Sequence, residues 1–373
     1  MKHAAFALAL VLTAAPAYAQ LGGLLKKGQD AKQKVDKVKE FVVTESDERK
    51  IGEKVSELVR TEFGVFQDAK VTKYVTLVGT VMTQASSRPD LKWEFIVLDT
   101  DGVNAFASPG GLVHITRGAL GLIKSEAELA GVLGHEIAHI TKKHTVNAIR
   151  KSNTFGAAAD LAPGSNEFIE GLAGAAYQNI VEKGFDRGDE EDADQEGIRL
   201  ANKVGYNPSG LGTFLTKLAD RNKAQSDKER NGLFASHPET RGRIDKLARQ
   251  IKSEKLNATA MVEPRYAATI TFDAKPVTAI ATVVPGTRGV AGASGSKEPE
   301  KAEEKEKPKK GFGLGSLKLS GGKQAESTQA SASAGNRAVG TDRAARGGDN
   351  PSKLSLPALT PAELEAFRKG IAG

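Results

Sequence analysis

The chain has 373 residues, enough for one large or two modest domains, with 39% hydrophobic but only 5% aromatic residues, so part of it is not expected to be packed core. There is no cysteine, which excludes disulfides and a lipoprotein attachment cysteine. The formal net charge of +7 is not gathered into a basic surface interleaved with aromatics, which argues against a nucleic-acid partner and leaves solubility, with weak attraction to anionic envelope surfaces, as its reading.

The chain opens as a secretory signal. Lys2 and His3 precede the apolar run Ala4 to Ala14, and Ala17-Tyr18-Ala19 before Gln20 is a cleavage site, with the cut after Ala19. A signal peptide over 1–19 implies the bacterial periplasm. No later stretch approaches the ~20 apolar residues of a membrane span, so the mature protein is expected to be soluble. Residues 20–44 read as an N-terminal linker or helix that packs on its own domain, in preference to an amphipathic helix on a membrane. From Ser46 the pattern is helical: Ile51, Val55, Leu58 and Val59 share a face and Gly64 is the stop. Val71 to Met82 reads as a second helix. Trp93 to Asp99 alternates like a strand, and Asn104 to Phe106 and Gly111 to Thr116 suggest two more, joined by a turn at Ser108-Pro109-Gly110-Gly111.

The next helix carries the chemistry. Ser125 with Glu128 three residues on is a capping box, and Leu129, Val132, Leu133, Ile137 and Ile140 then recur at helical spacing. Within it stands Gly134-His135-Glu136-Ile137-Ala138-His139, an H-E-x-x-H pattern. Residues four apart lie one above the other on a helix, so His135 and His139 point the same way. Two such imidazoles suit one Zn²⁺, with Glu136 as general base on a zinc-bound water. The residues beside them are apolar, and two unliganded histidines plus a carboxylate would be costly in such a place.

A small-residue segment follows Lys151, then a helix from Ser165 or Asn166 to about Lys183. The acidic run Asp189-Glu190-Glu191-Asp192-Ala193-Asp194 opens another, ended by Gly205-Tyr206-Asn207-Pro208. Ser209 to Arg221 and Arg241 to Lys252 are the next helices. Residues 256–285, rich in Val, Thr and Ile, read as a β-rich strap. Residues 286–350 are dominated by Lys, Glu, Pro, Ser, Ala and Gly and are expected to be a disordered low-complexity linker. Thr360-Pro361-Ala362-Glu363 starts a short C-terminal helix within 351–373, with Leu364 and Phe367 on one face. Its partner is not readable from the sequence; contact of this tail with a membrane or an envelope complex is one option.

A catalytic zinc has three protein ligands and leaves a place for water. His144 stands nine residues beyond His135, where the long zincin motif needs ten, so it is a poor third ligand. The acidic run is the better source. Glu190 at a helix start is able to reach the metal, and Asp194 one turn later is placed to accept a hydrogen bond from a liganding histidine. The alternative is a solvated acidic helix N-terminus.

H-E-x-x-H, a long insertion, then E-x-x-A-D before Gly-Tyr-Asn-Pro resembles the zinc metalloendopeptidases related to HtpX, BepA and the CAAX prenyl proteases. Asn104-Ala105-Phe106-Ala107-Ser108-Pro109-Gly110-Gly111 with Thr116-Arg117-Gly118, and Ser236-His237-Pro238 before an arginine, are similar to that family too, in its order from about Glu45 to Lys252. The resemblance implies an α+β fold: a mostly helical zincin-like metalloprotease domain over 45–255 with a small β-sheet, followed by the low-complexity tail. It implies His135, His139 and Glu190 as ligands of one zinc and Glu136 as catalytic base. It implies an edge strand at Asn104, Ala105, Phe106 and Ala107 on which substrate lies extended. His237 matches a histidine that approaches the metal, with Arg241 nearby. The run Asp189 to Asp194 is more acidic than the family pattern, so Glu191 or Asp192 compete for the ligand role. The activity implied is peptide-bond hydrolysis in unfolded or misassembled envelope proteins, as quality control. The rival readings are a chaperone or adaptor without proteolysis, or an envelope interaction protein using the protease fold as scaffold.

Overall fold

A computed structural model describes residues 43–151, 161–162, 164–221, 237, 240–276, 282–283, 290–291 and 354–372. The signal peptide, most of the N-terminal linker and nearly all of the low-complexity segment lie outside the described residues. In chain order the elements are α1 (Glu45–Phe63), α2 (Ala69–Gln84), β1 (Glu94–Leu98), β2 (Ala105–Ser108), β3 (Leu112–Thr116), α3 (Arg117–Leu122), α4 (Glu126–Thr141), α5 (His144–Lys151), α6 (Asn166–Tyr177) running into a π-helical turn Gln178–Lys183, α7 (Arg187–Val204), α8 (Gly210–Arg221), α9 (Thr240–Ser253), α10 (Glu263–Thr269), β4 (Thr282–Val283), β5 (Val290–Ala291) and α11 (Pro361–Ala372). The architecture is α+β, mostly helical with one small sheet, as expected. No helix among the described residues is long and apolar enough to cross a membrane.

Local chemistry starts the helices. Thr44 and Asp47 form a reciprocal capping box on α1, Asp68 accepts from the backbone of Lys70 and Val71 at α2, and Ser125 accepts from Glu128 at α4. The sheet has the order β1-β3-β2: β1 runs parallel to β3, and β2 returns antiparallel through the turn that Pro109, Gly110 and Gly111 make. Gly110 has φ +73°, and a Cβ there would stand 2.5 Å from the Arg49 backbone, so this turn needs glycine.

Strand alternation divides the sheet between two cores. Phe95, Val97, Ala105, Ala107, Val113 and Ile115 pack with α2, α4 and α8, while Ile96, Leu98, Phe106 and Leu112 pack with α1 and α6. Helix α4 runs through the larger core and is buried from Glu126 to Ile140, including its polar residues. Glycines let its neighbours approach closely. A Cβ on Gly197 of α7 would stand 2.8 Å from the His135 backbone nitrogen, and one on Gly210 of α8 would stand 2.1 Å from the Ala127 carbonyl oxygen.

Two segments differ from expectation. Within 256–285 the longest described element is helix α10, where a β-rich strap was expected. Pro264 sits in its first turn and Glu263 complements its N-terminus, signals that outweigh the Thr-Ile-Thr run behind them. Among the described residues the β character reduces to a bridge from Ala260 to Tyr206 and the two-residue pair β4–β5, which reaches Val290–Ala291 inside the stretch expected to lack structure. The C-terminal helix docks on its own domain: Phe367 and Ile371 are buried against α2 and α10, the Arg265 guanidinium lies 4.0 Å from the Phe367 ring centroid, and Lys73 pairs with Glu363.

Candidate metal centre

His135 and His139 stand one turn apart on α4, and α7 crosses beneath them through the Gly134–Gly197 contact, which delivers Glu190 to the same place. His237 arrives from the chain just before α9. One ligand atom from each of His135, His139, Glu190 and His237 lies within 4.8 Å of the others, and all four residues are buried. The Nε2 atoms of His135 and His139 are 3.1 Å apart, His135 Nε2 is 3.1 Å from His237 Nδ1, and both histidines on α4 lie 3.5 Å from a Glu190 oxygen. Donors about 2.0–2.1 Å from a shared centre in a tetrahedron stand about 3.3 Å from one another, so this spacing fits zinc.

The protons make the same point. His135 Nδ1 is 3.0 Å from Asp194 Oδ1, and His139 Nδ1 is 2.9 Å from His144 Nδ1. With those inner nitrogens beside partners, the two Nε2 atoms face each other 3.1 Å apart in a buried site, an arrangement that a shared cation would fit.

Glu136 lies beside this cluster with 1% of its surface exposed and neither carboxylate oxygen hydrogen-bonded. His237 Nε2 is 3.7 Å from one of those oxygens. Burial raises the Glu136 carboxyl above its ordinary value, against the pull of His237 and His135. Burial also pushes His139 well below the usual imidazole range. At Glu190 burial acts upward, but His237 and His139 outweigh it and hold the carboxyl well below its ordinary value. His237 goes the other way: burial lowers it, while Glu190 at 2.7 Å and Glu136 raise it to a net increase.

Arg243 ties the second layer together. Its guanidinium donates to both Asp194 oxygens at 2.8 and 2.7 Å, reaches Glu190 Oε2 at 2.9 Å and caps the His237 carbonyl at 3.3 Å. Desolvation of Asp194 is thereby overcome, and its carboxyl is held down at about 2.

The structure thus brings together His135, Glu136, His139, Glu190, Asp194 and His237 from the sequence reading. Glu191 and Asp192 point elsewhere: Glu191 pairs with Lys246 and Arg187, and Asp192 with Lys142 and His144, so neither competes with Glu190. The side chain of Arg241 lies outside the described residues, and Arg243 takes the place expected for it. The signal was present in the sequence, because Arg243 is one turn before the buried Leu247 and so faces inward. Strand β2 is the outer strand of its sheet, yet Asn104, Ala105, Phe106 and Ala107 are between 0 and 7% exposed, packed against α1, α4 and the π-helical turn.

A family profile described as Peptidase family M48 matches residues 69–251, the span that contains the whole cluster. Over those residues the chain belongs to peptidase family M48. The chain is similar to the beta-barrel assembly-enhancing protease of Yersinia pestis, 26% identical over 214 residues, covering 54% of this chain and 43% of that protein. It is also similar to the mitochondrial metalloendopeptidase OMA1 of Schizosaccharomyces pombe, 31% identical over 181 residues, 47% of this chain and 52% of that protein. A third relative is metalloprotease YcaL of Escherichia coli, at 29% over 162 residues, 42% of this chain and 61% of that protein. The chain therefore spans about half the length of these relatives, and the M48 match leaves out α1, α10 and α11. A metallopeptidase centre is what the family and the donor cluster have in common.

Proposed function

We propose that this chain is a zinc-dependent metalloendopeptidase with one zinc held by His135, His139 and Glu190. The observation that carries the reading is the Glu136 carboxylate, buried beside the converged donors and without a hydrogen bond among the described residues. A site that only held a metal for structure has no use for it. Zinc supplies a Lewis acid that polarises a peptide carbonyl and acidifies water. The protein's own groups do the rest. Glu136 takes the proton of the attacking water and passes it to the leaving amine, and a carboxyl raised by burial is suited to both acts. Asp194 fixes the tautomer and plane of His135, and Arg243 holds Asp194 and Glu190 in place.

His237 occupies the fourth corner of the cluster, where a catalytic site needs an open position. We read it as a gate: turned in, it closes the site; turned out, it is close enough to Glu136 and the metal to stabilise developing charge. Substrate would pair along β2 at Asn104 to Ala107, which requires the elements packed over that strand to move. The signal-like N-terminus, and relatives named for β-barrel assembly and for mitochondrial proteolysis, support unfolded or misassembled proteins of the periplasmic envelope as substrates and quality control as the role.

The test is metal analysis together with casein cleavage, comparing wild type with Glu136→Gln. About one zinc per chain in both and cleavage only in the wild type is the expected result. No zinc in either would overturn the ligand set. Zinc without cleavage in either would direct the test to His237→Ala, which is expected to retain zinc and to change activity; loss of the metal in that variant would count against the gate.

A further inference from the structure

The spacing of His144 is wrong for a ligand, and it lies outside the donor cluster. It is nonetheless 3% exposed and holds an unusual position. Its Nδ1 is 2.9 Å from Nδ1 of His139, the ring nitrogen facing away from the donor cluster. Its Nε2 is 3.4 Å from Asp192 Oδ2 and 3.9 Å from Asp189 Oδ1.

We propose that His144 is a positioning residue for the metal centre, the middle member of a chain running from His139 through His144 to the carboxylates of Asp192 and Asp189. This rests on the reading above, in which His139 binds the metal through Nε2. The tautomers then follow. A neutral His139 that offers its Nε2 lone pair carries its proton on Nδ1, and only an acceptor can sit opposite. His144 Nδ1 is that acceptor, so the His144 proton is on Nε2, aimed at the two carboxylates. Every proton in the chain has one place.

The two ligands on α4 are therefore braced in different ways by the same helix. On α7, Glu190 and Asp194 are four apart and face the metal, so His135 meets a carboxylate directly at 3.0 Å. Asp189 and Asp192 are three apart on the neighbouring face, one residue too far round to reach His139. His144, the first residue of α5, spans that gap. Phe185 stacks on His139 with ring centroids 4.0 Å apart and 23° between planes, which leaves the ring only an in-plane choice of partner. Lys142 at 3.2 Å from Asp192 holds the outer end of the chain.

The experiment measures zinc affinity by competition with a chromophoric chelator in the full chain, with the visible spectrum of the cobalt-substituted protein as a second readout. His144→Phe keeps the ring volume and removes the acceptor. It is expected to weaken zinc binding about 10–100-fold and to shift the cobalt bands, while the metal-free melting temperature stays near wild type. His144→Gln is expected to recover most of the affinity, because its amide oxygen accepts from His139 and its amide nitrogen donates to Asp192. Wild-type affinity in His144→Phe overturns the proposal, as does a Gln variant no better than Phe. If the Phe variant does not fold, the double substitution Asp189→Asn with Asp192→Asn, at the more exposed end, takes its place, and unchanged affinity there overturns the chain. A wild-type protein that binds no zinc is a different failure, that of the metal reading itself.

Discussion

Arg243 shows how much one side chain carries. It is 4% exposed and neutralises two buried carboxylates, one a candidate ligand and the other its brace. Removing a partner from such a group strands the others, so Arg243→Met is expected to destabilise the metal-free protein by about 3–5 kcal/mol, read from chemical denaturation, and to loosen zinc as well. Arg243→Lys, which loses the fork, should recover only part of this. His114 gives a cleaner pH prediction. Buried on β3 with Nε2 2.8 Å from Ser56 Oγ, it is pushed down to about 3 by burial, with Arg60 adding to the effect. Between about pH 6.5 and 3 the unfolded chain takes up a proton at this residue and the folded chain does not, so its stabilising contribution is complete above that window and is lost as the pH falls through it. His114→Asn should flatten the acid limb of the stability profile. A slope equal to wild type in urea titrations at several pH values would refute this.

At the level of elements, the decisive contact is α4 on α7, and it depends on Gly134 and Gly197 rather than on any charged residue. Gly197→Ala places a methyl group 2.8 Å from the His135 nitrogen, and backbone cannot yield as a side chain does. The expected result is a loss of about 1–3 kcal/mol and weaker zinc binding, because α7 moves away with Glu190 aboard; chelator competition and thermal melting read the two effects. These glycines were not legible in advance, since a small residue within a helical pattern announces a close approach but not its partner. The H-E-x-x-H helix was legible because its two histidines are neighbours in sequence and its cap, periodicity and stop agree. Glu190 and Asp194 were legible only as a pair four apart. Arg243 is less legible than Arg241, two residues away, because the motif Ser236-His237-Pro238 points to a nearby arginine without saying which face of α9 turns inward, and only the buried Leu247 decides that. Helix α10 is hidden in the sequence because its β-branched surroundings compete with the helix signals of Pro264 and Glu263.

Across the whole molecule, the active-site helix is held at both ends by charge. Glu126, in the first turn of α4 and fully buried, accepts from Tyr74 at 2.7 Å and Tyr206 at 3.0 Å and pairs with Arg265, which in turn stacks on Phe367 of α11. At the other end Lys143 and Arg88 meet the buried Glu48 of α1. The C-terminal helix is thus part of the scaffold of α4. Deleting 292–353, which spares β5, and joining the ends through a flexible linker should leave the melting temperature nearly unchanged, whereas deleting 292–373 should lower it by several degrees, since Leu364, Phe367 and Ile371 then leave their site. Equal melting temperatures for the two deletions would mean that α11 contributes no stability.

Residues 260–276 and 354–372 both belong to the folded body, so the covalent chain between them joins two folded pieces. A single cut in that interval would break the covalent link while packing contacts still hold the two pieces together. The product would run as two bands under denaturing conditions and as one particle in native chromatography. The severed C-terminal piece would stay bound by its own affinity alone, without the high local concentration that an intact connection provides. Such a nicked protein would lose α11 on dilution and regain it on mixing, so that a peptide spanning 354–372 becomes a detachable part of the enzyme's frame.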